Sequence, residues 1–351
     1  MFIELKRTVI DTSWMKTMKY KRRIRKKDKS KMIIIVLLVI ALAAGVFAVM
    51  SYFEHSSNKQ QSSSYIEEDI LSTKGKTVDG ITYQHKRKLH SYLFIGVDMR
   101  GEAVGVENYI QGGQGDVQMV LTIDDTNRTW QILQINRDAM VNVNVLGVTG
   151  DVVSNEFQQI CLAHSYGNGK ESSCENNVSA VSEMLEDEKI DGYFALNMDA
   201  IGLLNEIAGG VTVTVTSDFS KVDPTLAEGS TITLTDEQAT TFIHDRKDVD
   251  DETNLSRMAR QREFMNGFFT TVKNKDANFA KDAYNRLSNY TVTDIKEGTV
   301  SKILNKIQNY TEKDIVTIDG NLTVEDDHWC YYQDENSLAQ AIVEMFYDKK
   351  G

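Results

Sequence analysis

Short apolar runs, each bounded by polar or turn residues, recur along residues 91–348. The first three, SYLFIGVD (91–98), VQMVLTID (117–124) and WQILQINRD (130–138), have the length of strands, and DDTNR forms a turn between the second and the third. Helical spacing appears between later runs, and TDEQATTFIHD (235–245) begins with a threonine suited to capping a helix. This interleaving predicts an α/β fold, an αβα sandwich around a mixed central sheet.

The remaining segments continue the alternation. Residues 153–187 are interpreted as helices interrupted by YGNGKESSC, and Gly209-Gly210 as the stop of a short helix. The other predicted strands are YFALNMD (193–199), VTVTV (211–215), DIVTIDG (314–320) and HWCYYQD (328–334). The other predicted helices cover about 254–273, 276–288, 296–310 and 336–348.

An uncharged stretch of 22 residues, MIIIVLLVIALAAGVFAVMSYF (32–53), precedes these elements. A helix of this length spans a bilayer core of roughly 30 Å. Residues 1–31 carry a net charge of +9, whereas residues 32–351 carry −21. The positive-inside rule therefore predicts a transmembrane signal anchor with a basic tail in the cytoplasm and the acidic body outside the cell. A cleaved signal peptide is the alternative, although the apolar run and the basic region are long for one.

Polar residues dominate segment 54–89, which is interpreted as an extracellular spacer ahead of a folded domain at 90–349. The domain contains Cys161, Cys174 and Cys330, and an exported body permits a disulfide. The short separation of the first two favours a Cys161–Cys174 disulfide, and three buried thiols are the alternative. No CxxC or His/Cys spacing suggests zinc.

Charged residues stand at the ends of the predicted strands. Asp98 and Arg100 follow the first strand, Arg137-Asp138 end the third, and Asp116 begins the second. If the first two strands run antiparallel, Asp98 and Asp116 meet at one end of the sheet, where two carboxylates would suit Mg²⁺ or Mn²⁺. The alternative for each aspartate is a turn or capping role.

The segment LSRMARQREFM (255–265) places arginines among apolar positions. Residues spaced i, i+3, i+4 and i+7 share one helix face, and here these are Arg257, Arg260, Gln261 and Phe264. Arg262 points elsewhere. A solvated face paired with the acidic residues at 250–252 is one interpretation. The other is a site for a polyanionic head group beside a metal, which also uses Arg246, because a planar guanidinium suits phosphate.

Several motifs, taken in order, resemble those of the LytR-CpsA-Psr family. These motifs are YLFIGVDMRG, GDVQMVLTID, QINRDAMVNV, NEIAGGVTVTV and RKDVDDETNLSRMARQ. The resemblance implies a membrane-anchored enzyme of Gram-positive cell envelopes, with a catalytic domain at 90–349. Such enzymes transfer a glycopolymer, for example wall teichoic acid or capsule, from a polyprenyl diphosphate carrier to peptidoglycan. The implied partners are that lipid-linked polymer, peptidoglycan and membrane lipid.

The resemblance also implies residue roles. Asn136 replaces the proline of the family's I-P-R-D, His244 replaces the first arginine of R-x-R, and Asn254 replaces the aspartate of D-x-x-R-x-x-R-Q. Together with the arginines at the strand ends and on the helix face, the resemblance assigns catalysis to Asp98, Arg137 and Arg257. It assigns Mg²⁺ or Mn²⁺ binding to Asp98 and Asp116. Substrate binding is assigned to Arg100, Arg137, Asp138, Arg246, Arg257, Arg260 and Gln261. Asp98 is the expected general base.

Two other functions differ from this expectation. A non-catalytic binder of lipid-linked envelope precursors would tune cell-wall assembly, and His244 and Asn254 favour it. A regulator that binds nucleic acid is disfavoured, since the body at −21 lacks the basic surface that phosphate backbones require.

Overall fold

The computed structural model describes residues 75–105 and 112–350. The predicted basic tail, the anchor at 32–53 and residues 54–74 of the predicted spacer lie outside the described residues. Within them, no helix combines the length and the apolar composition needed to cross a membrane.

Strands and helices alternate through the described residues. The first eight strands along the chain are β1 (Gly75–Val78), β2 (Ile81–His85), β3 (Leu89–Val97), β4 (Gly115–Asp124), β5 (Thr129–Ile135), β6 (Met140–Leu146), β7 (Val152–Gln159) and β8 (Gly192–Asn197). The later strands are β9 (Thr212–Thr214), β10 (Thr231–Thr233), β11 (Thr291–Thr293), β12 (Thr311–Glu312), β13 (Val316–Thr317), β14 (Gly320–Glu325), β15 (His328–Gln333) and β16 (Tyr347–Lys349).

The helices mostly fall where the apolar spacing predicted them. They are α1 (Leu162–Ser165), α2 (Glu171–Met184), α3 (Asp199–Ala208), α4 (Asp236–His244), α5 (Asn254–Val272), α6 (Ala277–Leu287), α7 (Glu297–Asn309) and α8 (Glu335–Phe346). The predicted cap of α4 is confirmed, because Thr235 accepts from the Gln238 amide in a reciprocal capping box.

A mixed seven-stranded sheet forms the centre of the domain, in the order β11-β8-β3-β4-β5-β12 with β13 also paired to β5. β3 runs parallel to β8 and antiparallel to β4. Alternate residues of the sheet face two separate cores: Leu93 and Ile95 pack with α2 and α8, whereas Met119 and Leu121 pack toward α5 and α7. The α/β fold with a mixed central sheet is therefore confirmed, and helices cover both faces.

The segment 75–89 is not a spacer. β1 and β2 form a hairpin, and β2 pairs with β16 at the end of the chain. At this junction His85 Nε2 lies 2.9 Å from Glu188 Oε2, and the Tyr347 hydroxyl donates to Glu188. Lys86 Nζ donates to two carbonyls in the last turn of α8, and burial lowers the pKa of Lys86 to about 8. The predicted boundary at residue 90 is wrong because long-range pairing, absent from local sequence, orders this hairpin.

The region 153–187 contains a strand as well as helices. β6 and β7 pair as an antiparallel hairpin, so the prediction of helix from residue 153 is wrong there. β7 has few apolar residues and is largely exposed, so it lacks the alternation that marks a half-buried strand. Its partner does alternate, with Val141 and Val143 buried.

The three cysteines are buried and free, so the predicted Cys161–Cys174 disulfide is wrong. Each of the two thiols contacts another group: Cys161 Sγ lies 3.2 Å from Arg137 Nη2, and Cys174 Sγ lies 3.9 Å from His164 Nε2. Burial raises the pKa of Cys161 to about 12, so its thiol is protonated and unreactive at neutral pH.

We expect alkylation without reductant to modify all three cysteines once the protein is denatured, and none of them rapidly in the folded state. Burial blocks the reagent, and the thiolate is the reactive form. Intact-mass measurement of both samples checks this. A denatured sample with Cys161 and Cys174 unmodified and linked in one peptide pair would contradict the free-thiol structure.

Candidate anion site at the end of an apolar cavity

The pairing of β3 with β4 brings Asp98 and Asp116 to one end of the central sheet. Val97 pairs with Gly115 beside a bulge, and the Asp98 amide donates to the Gln114 carbonyl at 2.9 Å. Both aspartates line the same cavity, Asp98 from an exposed position and Asp116 from a largely buried one. The antiparallel pairing therefore places the two carboxylates as the strand pattern predicts.

Helix α5 presents a buried polar face to this end of the sheet. Thr253 caps its first turn by accepting from the Ser256 amide. The four residues on the predicted face, Arg257, Arg260, Gln261 and Phe264, are all buried. The interpretation of a solvated charged face is therefore wrong. Arg262 points elsewhere, as predicted, and donates to Gln134 Oε1 at 2.7 Å.

Asp116 is shared between two guanidinium groups. Arg257 Nη1 donates to Asp116 Oδ2 at 3.0 Å, and Arg137 Nε lies 3.0 Å from Asp116 Oδ1. The second contact is not aligned as a hydrogen bond, so Asp116 Oδ1 and Arg137 Nε are buried without hydrogen-bond partners among the described residues. Burial lowers the pKa of Arg257 and the charge of Asp116 opposes that shift. One carboxylate thus lies between two buried cations.

Two residues hold the far side of Arg137. Its Nη2 donates to Gln114 Oε1 and lies 3.2 Å from Cys161 Sγ. The backbone repeats the link, since the Cys161 amide donates to the Arg137 carbonyl and the Gly115 amide donates to the Cys161 carbonyl. Sequence reasoning missed these roles of Gln114 and Cys161. Their only signal is chain position, with Gln114 two residues before Asp116.

Asp138 is a buried acid rather than a free ligand. Arg137 Nη1 lies 3.5 Å from Asp138 Oδ1, which also accepts from Gln159 Nε2, and Oδ2 has no hydrogen-bond partner among the described residues. Burial raises the pKa of Asp138, while the charges of Arg137, Arg246 and Arg257 oppose the rise. Asp138 therefore contributes a second buried acidic group beside Arg137.

Asn136 and Asn254, two departures from the family motifs, contact each other. Asn254 Nδ2 donates to Asn136 Oδ1 at 2.7 Å, and Asn254 Oδ1 accepts from Arg257 Nε and Nη2 at 3.1 and 2.8 Å. Sequence reasoning treated the two changes as separate. They lie 118 residues apart in the chain, so no local pattern joins them.

The other predicted substrate-binding arginines differ in availability. Arg246 is half-buried beside the cluster, and neither a hydrogen bond nor an ion pair joins its guanidinium to a described residue. Arg100 is exposed and lies 3.6 Å from Asp199. Arg246 is therefore the arginine most available to an incoming anion.

Arg260 has a packing role instead of the predicted role in substrate binding. Its Nε donates to the Phe242 carbonyl at 2.8 Å, Nη2 donates to the Asp245 carbonyl, and Nη1 pairs with Asp250 at 3.3 Å. Its guanidinium also stacks over the Phe219 ring. With an acceptor at each of its three guanidinium nitrogens, Arg260 ties α5 to the end of α4.

A cavity of about 530 Å³ extends from the carboxylates between the sheet and the helices. Asp98, Asp116, His244, Arg257 and Gln261 line its polar end. Aromatic and aliphatic side chains line the rest, among them Phe94, Met119, Leu121, Phe194, Phe264, Met265, Phe268, Phe269, Ile303 and Ile307. Such a cavity fits a ligand with a long apolar part and an anionic end.

Asp98 and Asp116 present carboxylate oxygens at one end of the cavity, and carboxylate oxygen is the type of ligand that Mg²⁺ prefers. Asp116 Oδ1 is a buried oxygen without a hydrogen-bond donor, and Asp98 offers an exposed carboxylate at the same end of the cavity. No group of three or more acidic, histidine or cysteine side chains suited to a metal occurs in the described residues. A cation held here would complete its shell with oxygens of water or a phosphate, as Mg²⁺ commonly does.

The fold and the site together define a class: an α/β protein with an apolar cavity that opens onto an arginine and aspartate cluster. The profile of the LytR_cpsA_psr family matches residues 49–346. The chain belongs to the LytR-CpsA-Psr family, as its motifs indicate.

Characterised relatives carry consistent names. The chain is 29% identical over 206 residues to the polyisoprenyl-teichoic acid–peptidoglycan teichoic acid transferase TagV of Bacillus subtilis, covering 56% of this chain and 46% of the relative. It is 27% identical over 175 residues to the transferase TagU of Halalkalibacterium halodurans, covering 50% of each. The chain thus spans about half the length of these curated relatives.

A solved structure shares the fold. The structure of TagT bound to LI-WTA matches with a TM-score of 0.56 and 21% identity, over 73% of this chain and 89% of that one. This likeness shows the mixed α/β fold with its central sheet.

We expect Asp116→Asn to lower the free energy of unfolding by roughly 3 kcal/mol, because it leaves two buried guanidinium groups without their shared carboxylate. Inorganic pyrophosphate should then raise the unfolding temperature more in this variant than in the unsubstituted protein, since the anion replaces the lost charge. Thermal unfolding without divalent cations, with and without pyrophosphate, measures both effects.

Asp250→Asn is the matched control. It also removes the acidic partner of a buried arginine, but Arg260 keeps its carbonyl acceptors and lies outside the cavity lining. Pyrophosphate should give this variant no extra stabilisation. An equal response of the two variants would show that Arg137 and Arg257 do not form an anion site.

Proposed function

We propose that this protein transfers a glycopolymer, such as wall teichoic acid or capsule, from a polyprenyl diphosphate carrier to peptidoglycan. One observation carries the proposal: an apolar cavity of about 530 Å³ ends at a cluster of buried arginines and aspartates. The names of the relatives support the same donor and acceptor. The matches span about half the length of those relatives.

The apolar cavity would bind the polyprenyl chain. Burial of its isoprene units against Phe194, Phe264 and Phe269 would supply most of the affinity, since removing apolar surface from water is favourable. The diphosphate would then lie at the polar end, where Arg257 and Gln261 line the cavity. The lipid would thereby determine which phosphorus faces the acceptor.

The arginines would stabilise the charge that develops during transfer. Arg257, Arg137 and Arg246 would bind the diphosphate oxygens and the departing polyprenyl phosphate. A sugar hydroxyl of peptidoglycan, in the family the 6-hydroxyl of N-acetylmuramic acid, would attack the phosphorus that carries the polymer. The new O–P bond forms as the bond to the carrier phosphate breaks. The exposed Asp98 carboxylate would accept the hydroxyl proton.

Asp98 and Asp116 would hold Mg²⁺ or Mn²⁺, and such an ion supplies neutralisation of phosphate charge when bound. Asp116 would have a second role through its contacts with Arg257 and Arg137, which fix the two guanidiniums. The reaction as proposed needs no protein nucleophile, and Cys161 beside Arg137 is a buried, protonated thiol.

Arg246→Ala should lower the rate of transfer roughly 10²-fold, as loss of a single charge-stabilising donor commonly does. Arg246 suits the test because no described residue forms a hydrogen bond or an ion pair with its guanidinium. The rate is measured as transfer of radiolabel from lipid-linked glycopolymer to peptidoglycan by the full-length chain in detergent with Mg²⁺. Arg87→Ala, at an exposed site outside the cavity lining, is the control and should leave the rate unchanged.

The same assay separates the enzyme from a binder. A binder that tunes cell-wall assembly would retain lipid-linked polymer and form no product with any acceptor. Absence of transfer by the unsubstituted chain across several glycopolymers, despite lipid binding, would contradict the proposed activity. Equal rates for Arg246→Ala and Arg87→Ala would remove the arginine cluster from the mechanism.

The domain would lie outside the cell, attached to the membrane by a single span at 32–53. The uncharged 22-residue run and the +9 charge of residues 1–31 support it. In this location the cavity would meet lipid-linked precursors and peptidoglycan at the membrane surface.

Protease added to wall-stripped cells should degrade the domain and spare the basic tail. Immunoblots against epitopes at both ends of the chain follow the two parts. A cytoplasmic marker must stay intact as the control for cell integrity. Protection of the domain, or its release into the medium by cleavage after the apolar run, would contradict the topology.

A further inference from the structure

A buried amide bridge joins the turn after β5 to the first turn of α5. Asn254 donates through Nδ2 to Asn136 Oδ1 at 2.7 Å and accepts through Oδ1 from Arg257 at 2.8 and 3.1 Å. Both asparagines are at most 5% exposed. Asn254 therefore uses its donor on one side and its acceptor on the other, a combination that an amide has and a carboxylate lacks.

The bridge closes a ring around the site. Asn136 precedes Arg137 in the chain, Arg137 lies 3.0 Å from one oxygen of Asp116, and Arg257 donates to the other at 3.0 Å. From Arg257 the ring returns through Asn254 to Asn136. The separation of the two guanidiniums is thus set from both sides, by Asp116 on the cavity side and by the asparagines on the far side.

The charges around this ring do not cancel. It holds two guanidiniums, one carboxylate and two neutral amides, a net charge of +1. Asp138 against Arg137 and Arg246 beside the cluster add one charge of each sign, so the sum stays at +1. An acid at position 254 would bring the net charge to zero. It would also place an oxygen against Asn136 Oδ1, and the Asn136 amide would have to turn over and lose its bond from the Asp138 amide.

We propose that Asn254 is a positioning residue that orients Arg257 through a neutral amide and thereby preserves the positive charge of the site for a diphosphate group. Asn136 is its partner in this role. The inference rests on the proposed function, because it assumes that the site binds the diphosphate end of a polyprenyl carrier.

Asn254→Asp tests the charge, with Asn266→Asp as the matched control. The control makes the same chemical change in the same helix at an exposed position. The full-length chain in detergent at fixed Mg²⁺ is titrated with inorganic pyrophosphate and, separately, with a neutral polyprenol. Asn254→Asp should weaken pyrophosphate binding about tenfold, because a carboxylate against Arg257 cancels one positive charge of the site. Polyprenol binding should be unchanged, and Asn266→Asp should match the unsubstituted chain for both ligands.

The outcomes separate the inference from the proposed function. If the unsubstituted chain bound polyprenol but not pyrophosphate, the diphosphate site and the inference would both fail. If it bound both ligands and Asn254→Asp bound pyrophosphate as tightly as Asn266→Asp, the inference alone would fail. Equal weakening for pyrophosphate and polyprenol would indicate a merely structural residue and would also overturn it.

A second set of variants decides the matter if Asn254→Asp does not fold. Asn136→Ala, Asn254→Ala and the double variant form a cycle in pyrophosphate affinity. If the two residues act as one bridge, the double variant should lose no more affinity than the weaker-binding single variant. Additive losses would show that the asparagines act separately, which contradicts the bridge.

Discussion

The shared carboxylate of Asp116 is the interaction on which the site depends. Two guanidiniums carried by distant parts of the chain, one after β5 and one on α5, would repel each other in a buried position. Asp116 lies 3.0 Å from each of them and makes their approach possible. With Asp138 and Arg246 included, two carboxylates face three guanidiniums, so the contacts that permit the cluster leave a net charge of +1 that would attract an additional anion. Folding and ligand attraction therefore have a common physical origin here.

The rest of the domain keeps this balance in place. Arg260 ties α5 to the end of α4, so the helix that carries Arg257 has a fixed position along its axis. Gln114 and Cys161 hold Arg137 from the opposite side. Arg257 and Asp116 line the polar end of the apolar cavity. A lipid that enters the cavity would therefore meet side chains whose positions are already fixed. Such preorganisation lowers the cost of ordering side chains when the ligand binds.

Much of the fold was predictable because its signals are local. β3, β4 and β5 are apolar runs of strand length, and α4 begins with a capping threonine, so neighbouring residues suffice to identify them. The β1–β2 hairpin was not predictable in this way, because its place depends on pairing with β16 at the other end of the domain. β7 was not predictable either, because it is ordered by pairing with β6 and has no alternation of its own. For the site, strand ends and helix periodicity indicated Asp98, Asp116 and Arg257. The same periodicity could not separate Arg257 from Arg260, which share a helix face and differ only in the acceptors that the folded chain places around them.

The small sheet of β1, β2 and β16 has a mechanical consequence. The preceding 74 residues enter the domain at β1, and the last strand of the domain is hydrogen-bonded to β2. Tension applied through that leading segment reaches the hydrogen bonds of this small sheet first. β2 continues through residues 86–88 into β3 of the central sheet, and the contacts among His85, Glu188 and Tyr347 and the Lys86 link to α8 hold this junction. A pull on the leading segment would therefore have to break this junction before it could displace β3, the strand that pairs with β4 and its Asp116.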